Sequence, residues 1–197
     1  MKFLLLVSRT IDAVSIRIGR IVMWLVLAAV LISTANAISR KAFNFSSNAY
    51  LEIQWYLFSA VFLIGAGYTL LRNEHVRIDA VSQRWSRRTQ VLVDIVGIVA
   101  FLLPLCCWII SMSLPLAIRA FEAGEVSTNA GGLIRWPVYA LIPLGFALLA
   151  IQAFSEVIKR IAFLRGLGPD PAISGKEQSD EEALLEDLRK EVEEQRR

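Results

Sequence analysis

One carboxylate in this chain stands where a carboxylate is hard to keep. Glu52 lies near the start of the apolar run Asn48–Leu71, NAYLEIQWYLFSAVFLIGAGYTLL. An acid there needs a partner, a route to water, or a helix N-terminus that favours its charge. It is read either as a site or subunit contact, or as a group solvated at the interface. Asp94 stands in the same way near the start of the next apolar run and reads as a solvated, dipole-favoured terminus. His75, Arg77 and Asp79 form a short polar cluster after the first of these runs. The chain has one histidine, which cannot hold a haem from both faces, and no second histidine or spaced cysteine pair completes a metal site. Local salt bridging, or contact with a neighbour at a membrane surface, remains for this cluster.

The stretch RAFEAGEVSTNAGGLIR (119–135) is the most polar segment between apolar runs, with Glu122, Glu125, Ser127, Thr128 and Asn129. A serine nucleophile there would need a base, and the charge distribution below puts the only histidine on the opposite membrane face. Gly131-Gly132 is a turn rather than a phosphate cradle, and no P-loop or dinucleotide fingerprint is present. The segment reads as a partner-docking or structural loop. Cys106 and Cys107 are adjacent in an apolar run and read as two small hydrophobes. No catalytic, cofactor-binding or metal-binding residues are expected, and no cofactor.

The elements that carry these residues follow from composition. Of 197 residues, 55% are hydrophobic, and mean hydropathy is +0.52. A soluble domain carries about 45–50% apolar residues, and here the excess is gathered into long runs, so the chain reads as a membrane protein. The net charge is +3, but the part from Asp170 onward is −5, which leaves +8 on the body. Those basic residues flank apolar runs and form no stripe with interleaved aromatics, so nucleic acid is not a partner and a phospholipid membrane is.

Four spans are predicted, at about 21–39, 49–71, 91–118 and 137–158. Residues 1–20 are basic, and Phe3, Leu6, Val7, Val14 and Ile18 suggest an amphipathic helix on the membrane surface. Ala35-Asn36-Ala37 resembles a leader-cleavage site, but the leader would be long, so an uncleaved helix is favoured. Ala29, Ser33 and Ala37 recur every four residues, giving a small-residue face that another helix could approach closely. Ser47 or Asn48 is the expected cap of the second span. Trp55 and Tyr56 lie near one of its interfaces and Tyr68 near the other. Residues 72–88 carry five arginines and read as a second interfacial helix. The third run, 28 residues from Val91 to Ile118, would be about 42 Å long and is expected to tilt or bend at Pro104 or Pro115. Trp136 and Pro137 open the fourth span, where a proline costs nothing.

The expected architecture is an all-α membrane protein with a four-helix transmembrane domain over 1–165 and a linker with a charged helical tail over 166–197. Twelve Lys/Arg flank the first, third and last polar borders and four flank the others. That asymmetry puts both termini, and the tail, in the cytoplasm. Four helices without a mid-depth ring of charge or paired broken helices make a poor pore. The pattern is a platform that another protein uses.

At this point the residues resemble a known family. YLEIQWYLF, GAGYTLLRNEHVRIDAV and GEVSTNAGGLIRWPVYALIPLGF are similar to the small membrane subunit of tripartite ATP-independent periplasmic (TRAP) transporters, the DctQ-like family. The resemblance covers about residues 15–165 and is carried by Glu52, by the His75, Arg77 and Asp79 run, and by Trp136 and Pro137. It implies a multi-pass protein of the bacterial inner membrane, paired with a large membrane subunit that carries the substrate and sodium sites. It also implies a periplasmic substrate-binding protein that delivers an organic acid. The small subunit would then be a non-enzymatic scaffold. Glu52, Trp55, His75, Arg77, Asp79, Trp136 and Pro137 become the candidates for subunit contact. The tail beyond Pro169 is no part of the pattern. The alternative is the membrane anchor of a respiratory or redox complex.

Overall fold

The computed structural model describes residues 2–44, 47–73 and 85–170. His75, Arg77 and Asp79, and the tail beyond residue 170, lie outside them. Four helical spans are long and apolar enough to cross a membrane. Helix α1 is Lys2–Phe43, and α2 is Asn48–Leu71. The third span joins α3 (Arg87–Gly97), a π-helical turn (Ile98–Leu102) and α4 (Leu103–Glu122). Helix α5 is Trp136–Leu164. Among the described residues there is no strand, and the chain is an all-α membrane protein.

Local signals set the ends of these helices. The Ser47 hydroxyl caps α2 by accepting from the Ala49 N–H at 3.3 Å. Pro137 sits in the first turn of α5, where it displaces no intrahelical bond. Two helices stop in the same way. Gly124 and Gly166 take positive φ (59° and 68°) just past α4 and α5. The next N–H returns to the helix in each case, Glu125 to the Ala120 carbonyl at 3.0 Å and Leu167 to the Ala162 carbonyl at 2.9 Å.

Helix α5 is the centre. It is the most buried of the four spans and packs on α2, on α1 and on the third span. Association of helices within lipid rests on close packing and polar contacts, since lipid is as apolar as leucine. The packing here is close. A Cβ built on Gly145 of α5 would stand 2.7 Å from the Leu63 carbonyl oxygen of α2, so the two backbones meet at that point. Leu70, Ile98 and Ala153 form a small core between α2, the π turn and α5, flanked by Leu149 and Val157.

Two expectations change. The first 20 residues are no separate surface helix. They continue without a break into the first span, giving a 42-residue α1, about 63 Å long at 1.5 Å per residue. The buried residues are the small ones, Ser8, Ser15 and Gly19, while Arg9, Arg17 and Arg20 stay exposed. Ser8 is 1% exposed, whereas Phe3 is 74% and Leu6 is 62% exposed. Phe3 and Leu6 are thus exposed, as the side of a helix that meets a membrane surface would be. The irregularity in the third span is also earlier than its prolines. The helix runs through Pro115, and the π turn ends just before Pro104. A proline ring collides with the carbonyl four residues back, and the widened turn falls where Pro104 would meet the Ala100 carbonyl.

Candidate functional site

At the end of the bundle that carries the α4–α5 loop, Glu52 has an intrachain role. Its side chain is turned inward from the second turn of α2, 9% exposed. One carboxylate oxygen accepts from the Ser127 hydroxyl and from the Asn129 amide at 2.8 Å, and the other accepts from the Leu133 N–H at 2.7 Å. The loop is shaped to meet it. Ser127 N–H donates to the Leu133 carbonyl at 2.9 Å, and Val126 pairs with Ile134 in an isolated antiparallel bridge. Gly132 N–H closes a turn on the Asn129 carbonyl at 3.0 Å.

The same helix holds the loop at two more points. Tyr56 donates to the Ile134 carbonyl at 3.0 Å, and the Asn48 amide donates to the Ala130 carbonyl at 3.2 Å. Arg135 lies 3.4 Å from Glu125 and 3.5 Å from the Tyr139 hydroxyl, and Tyr139 first, then Glu125, raise its pKa above the usual value. Trp136 meets Phe121 edge to face at 5.3 Å, closing the base of the loop. Glu52, Trp136 and Pro137 thus come together around one loop. Trp55 does not join them and is 74% exposed.

The other polar cluster lies at the end of the bundle where α5 finishes. It was not anticipated from the sequence. Gln152, Ser155, Glu156 and Arg160 of α5 are each at most 3% exposed. Asp12 of α1 is the hub on one side. It accepts from Gln152 and from Ser155 at 2.9 Å each, and pairs with Lys159 at 3.1 Å. Ser8 bonds Ser155 at 2.7 Å, and Ser15 donates to Gln152 at 2.6 Å. Glu156 is the hub on the other side, in ion pairs with both Lys159 and Arg160.

Arg160 reaches two further elements. It pairs with Asp94 of α3 at 3.3 Å and donates to the Asn73 side chain, just past α2, at 3.5 Å. Asp94 is therefore an ion-pair partner, and the reading of a solvated terminus is corrected. Three spans and the residue that follows the second meet in this cluster. Its signal was available in the sequence, since residues 152, 155, 156, 159 and 160 share one helical face, as do Ser8, Asp12 and Ser15.

These arrangements hold helices and a loop together. Each carboxylate that faces the bundle is matched by donors on its own chain, and no set of three His, Cys, Asp or Glu side chains able to hold a metal ion occurs among the described residues. Cys106 is buried and Cys107 exposed, both as thiols. A comparison with protein families matches residues 29–163 to the DctQ component of tripartite ATP-independent periplasmic transporters. No curated protein and no solved structure matches the chain.

Proposed function

Since the chain belongs to the DctQ component family of tripartite ATP-independent periplasmic transporters, and so is a small inner-membrane subunit of such a system, we propose that it is the static scaffold of that transporter. In this reading it pairs with a large membrane subunit that moves the substrate with sodium. A periplasmic binding protein supplies the substrate, an organic acid. The chain carries no chemistry of its own.

One observation supports this best. The buried polar groups of the bundle are used to tie its spans to each other: Asp12, Glu156 and Arg160 join α1, α5, α3 and the end of α2. A moving carrier needs polar groups that change partners between states, whereas a scaffold needs groups that keep them. The Glu52 staple has the same character, so Glu52 is proposed as the fastener of the loop and not as a direct subunit contact. Trp55, exposed on α2, stays a contact candidate, as do His75, Arg77 and Asp79.

Purification from native membranes in mild detergent tests the reading. A much larger membrane protein is expected to co-purify. Recovery of a homo-oligomer alone would count against it.

A further inference from the structure

The chain stays attached to the bundle after α5 stops. Gly168 packs back on that helix, where an added Cβ would stand 3.5 Å from the Cβ of Ala162. Two residues on, Asp170 is held by the first residue of α3. The Arg87 guanidinium donates to both of its carboxylate oxygens, at 2.6 Å each, and to the Gln90 side chain at 2.7 Å. Two parallel bonds of this kind fix geometry as well as add energy, and the Asp170 side chain is 11% exposed. Asp170 stands between Pro169 and Pro171. A following proline confines its backbone to extended conformations, so little freedom is lost when it docks. Residues 166–170 thus join the end of the fourth span to the start of the third.

Charge at this end of the bundle is one-sided. Each described carboxylate there is already in an ion pair: Asp12 with Lys159, Asp94 and Glu156 with Arg160, and Asp170 with Arg87. Lys2, Arg9, Arg88 and Arg165 are exposed and make no ion pair among the described residues. The sequence past Asp170 carries the opposite excess. Residues 177–188, EQSDEEALLEDL, hold six acids and no base.

The anchor at Asp170 brings the two together. Residues 171–176 are all that separate it from the acidic block, a reach of at most about 25 Å. Packed helices lie about 8–10 Å apart, so neighbouring helix ends fall within that reach. A tether this short keeps the block at an effective concentration in the millimolar range. One surface ion pair contributes little, but several cations facing six acids, next to a bidentate pair already made, form a network.

We propose that residues 177–188 fold back onto this basic end of the bundle as an acidic cover, started by the Arg87–Asp170 pair and held by Lys2, Arg9, Arg88 and Arg165. The cover occupies cations that acidic lipid headgroups would otherwise attract. It does not depend on the scaffold reading.

Photo-crosslinking of the full chain in native membranes tests it. A benzophenone amino acid replaces Ala183, an uncharged position inside the block. Irradiation is expected to join it to peptides of the same chain that contain Arg9, Arg88 or Arg165, identified by mass. Mixing with isotope-labelled chain separates contacts within one copy from contacts between two. Joining only to lipid, to another protein or to a second copy, or no joining at all, would overturn the proposal.

A second arm separates a held cover from chance collision of a tethered segment. Replacing Glu177, Asp180, Glu181, Glu182, Glu186 and Asp187 by the matching amides is expected to lower the intrachain yield about fivefold or more, as several weak pairs are lost together. Arg88→Glu with Arg165→Glu is expected to lower it as well. Both arginines are exposed, so melting of the bundle should not change. An unchanged yield in either set would overturn the proposal.

Discussion

Removing Glu156 should do more damage than removing any other charge in the bundle. Its side chain is 1% exposed and lies between Lys159 and Arg160, which is itself 3% exposed. Glu156→Leu deletes both ion pairs at once and leaves Arg160 with its longer contacts to Asp94, at 3.3 Å, to the backbone carbonyl of residue 156, at 3.3 Å, and to Asn73, at 3.5 Å. Breaking a buried pair from one side costs about 3–5 kcal/mol, because the surviving charge stays buried with its shorter pairing lost. For a chain of this size about 2–4 °C of melting temperature accompanies each kcal/mol, so the loss should be about 6–20 °C.

The protein supplies its own reporter for this. Cys106 is fully buried, and in a Cys107→Ser background a thiol-reactive dye in mild detergent reads its exposure on heating. The sign of the double variant is the sharper test. Glu156→Leu with Arg160→Leu removes the pair whole and should melt above Glu156→Leu alone, because replacing a buried pair by apolar groups is far less costly than orphaning one member. Wild-type melting of Glu156→Leu, or a double variant less stable than the first single, would refute the view that these charges hold the spans together.

Other consequences follow from single contacts. Gly145→Leu drives a side chain into the α2 backbone at Leu63. It should cost about 1–3 kcal/mol or more, seen as a lower melting temperature, while Gly67→Ala, whose added Cβ would lie 3.5 Å from the Leu148 carbonyl oxygen, should be tolerated. Glu52→Ala leaves Ser127, Asn129 and the Leu133 N–H without their acceptor. Membrane insertion should be intact, but hydrogen exchange at Leu133 and protease cleavage within 123–135 should both rise, and assembly or uptake should fall; an unaltered loop with normal uptake would return Glu52 to simple interfacial solvation. Reporter fusions in the 119–135 loop should read as periplasmic, and a cytoplasmic signal there would overturn the span order.

Much of this was legible because lipid writes plainly in sequence. Hydropathy and length point to four spans, and four helices are long and apolar enough to cross a membrane, with Ser47 and Pro137 at the starts of two of them. What hydropathy does not record is which side of a helix faces its neighbours. In residues 2–20 the apolar side, with Phe3 and Leu6, is exposed as a surface-binding side would be, but hydropathy does not mark Ser8 and Ser15 opposite as the residues that pack on α5. The same limit hid the α5 cluster. Lys159 and Arg160 were counted as flanking charges, although their spacing from Gln152, Ser155 and Glu156 marks one helical face. Glu52 was recognised as unusual, but its partners lie 75 to 81 residues away in sequence, and no local pattern joins them.

Reconstitution tests the scaffold account most directly. Proteoliposomes are made with this chain alone, with the large subunit alone, and with both, and sodium-driven uptake of the organic acid is followed with the loaded binding protein outside. The account predicts uptake from the pair and none from this chain alone, with the large subunit alone strongly impaired. Uptake by this chain alone, or full uptake by the large subunit without it, would contradict the claim that this bundle is the static support of the transporter.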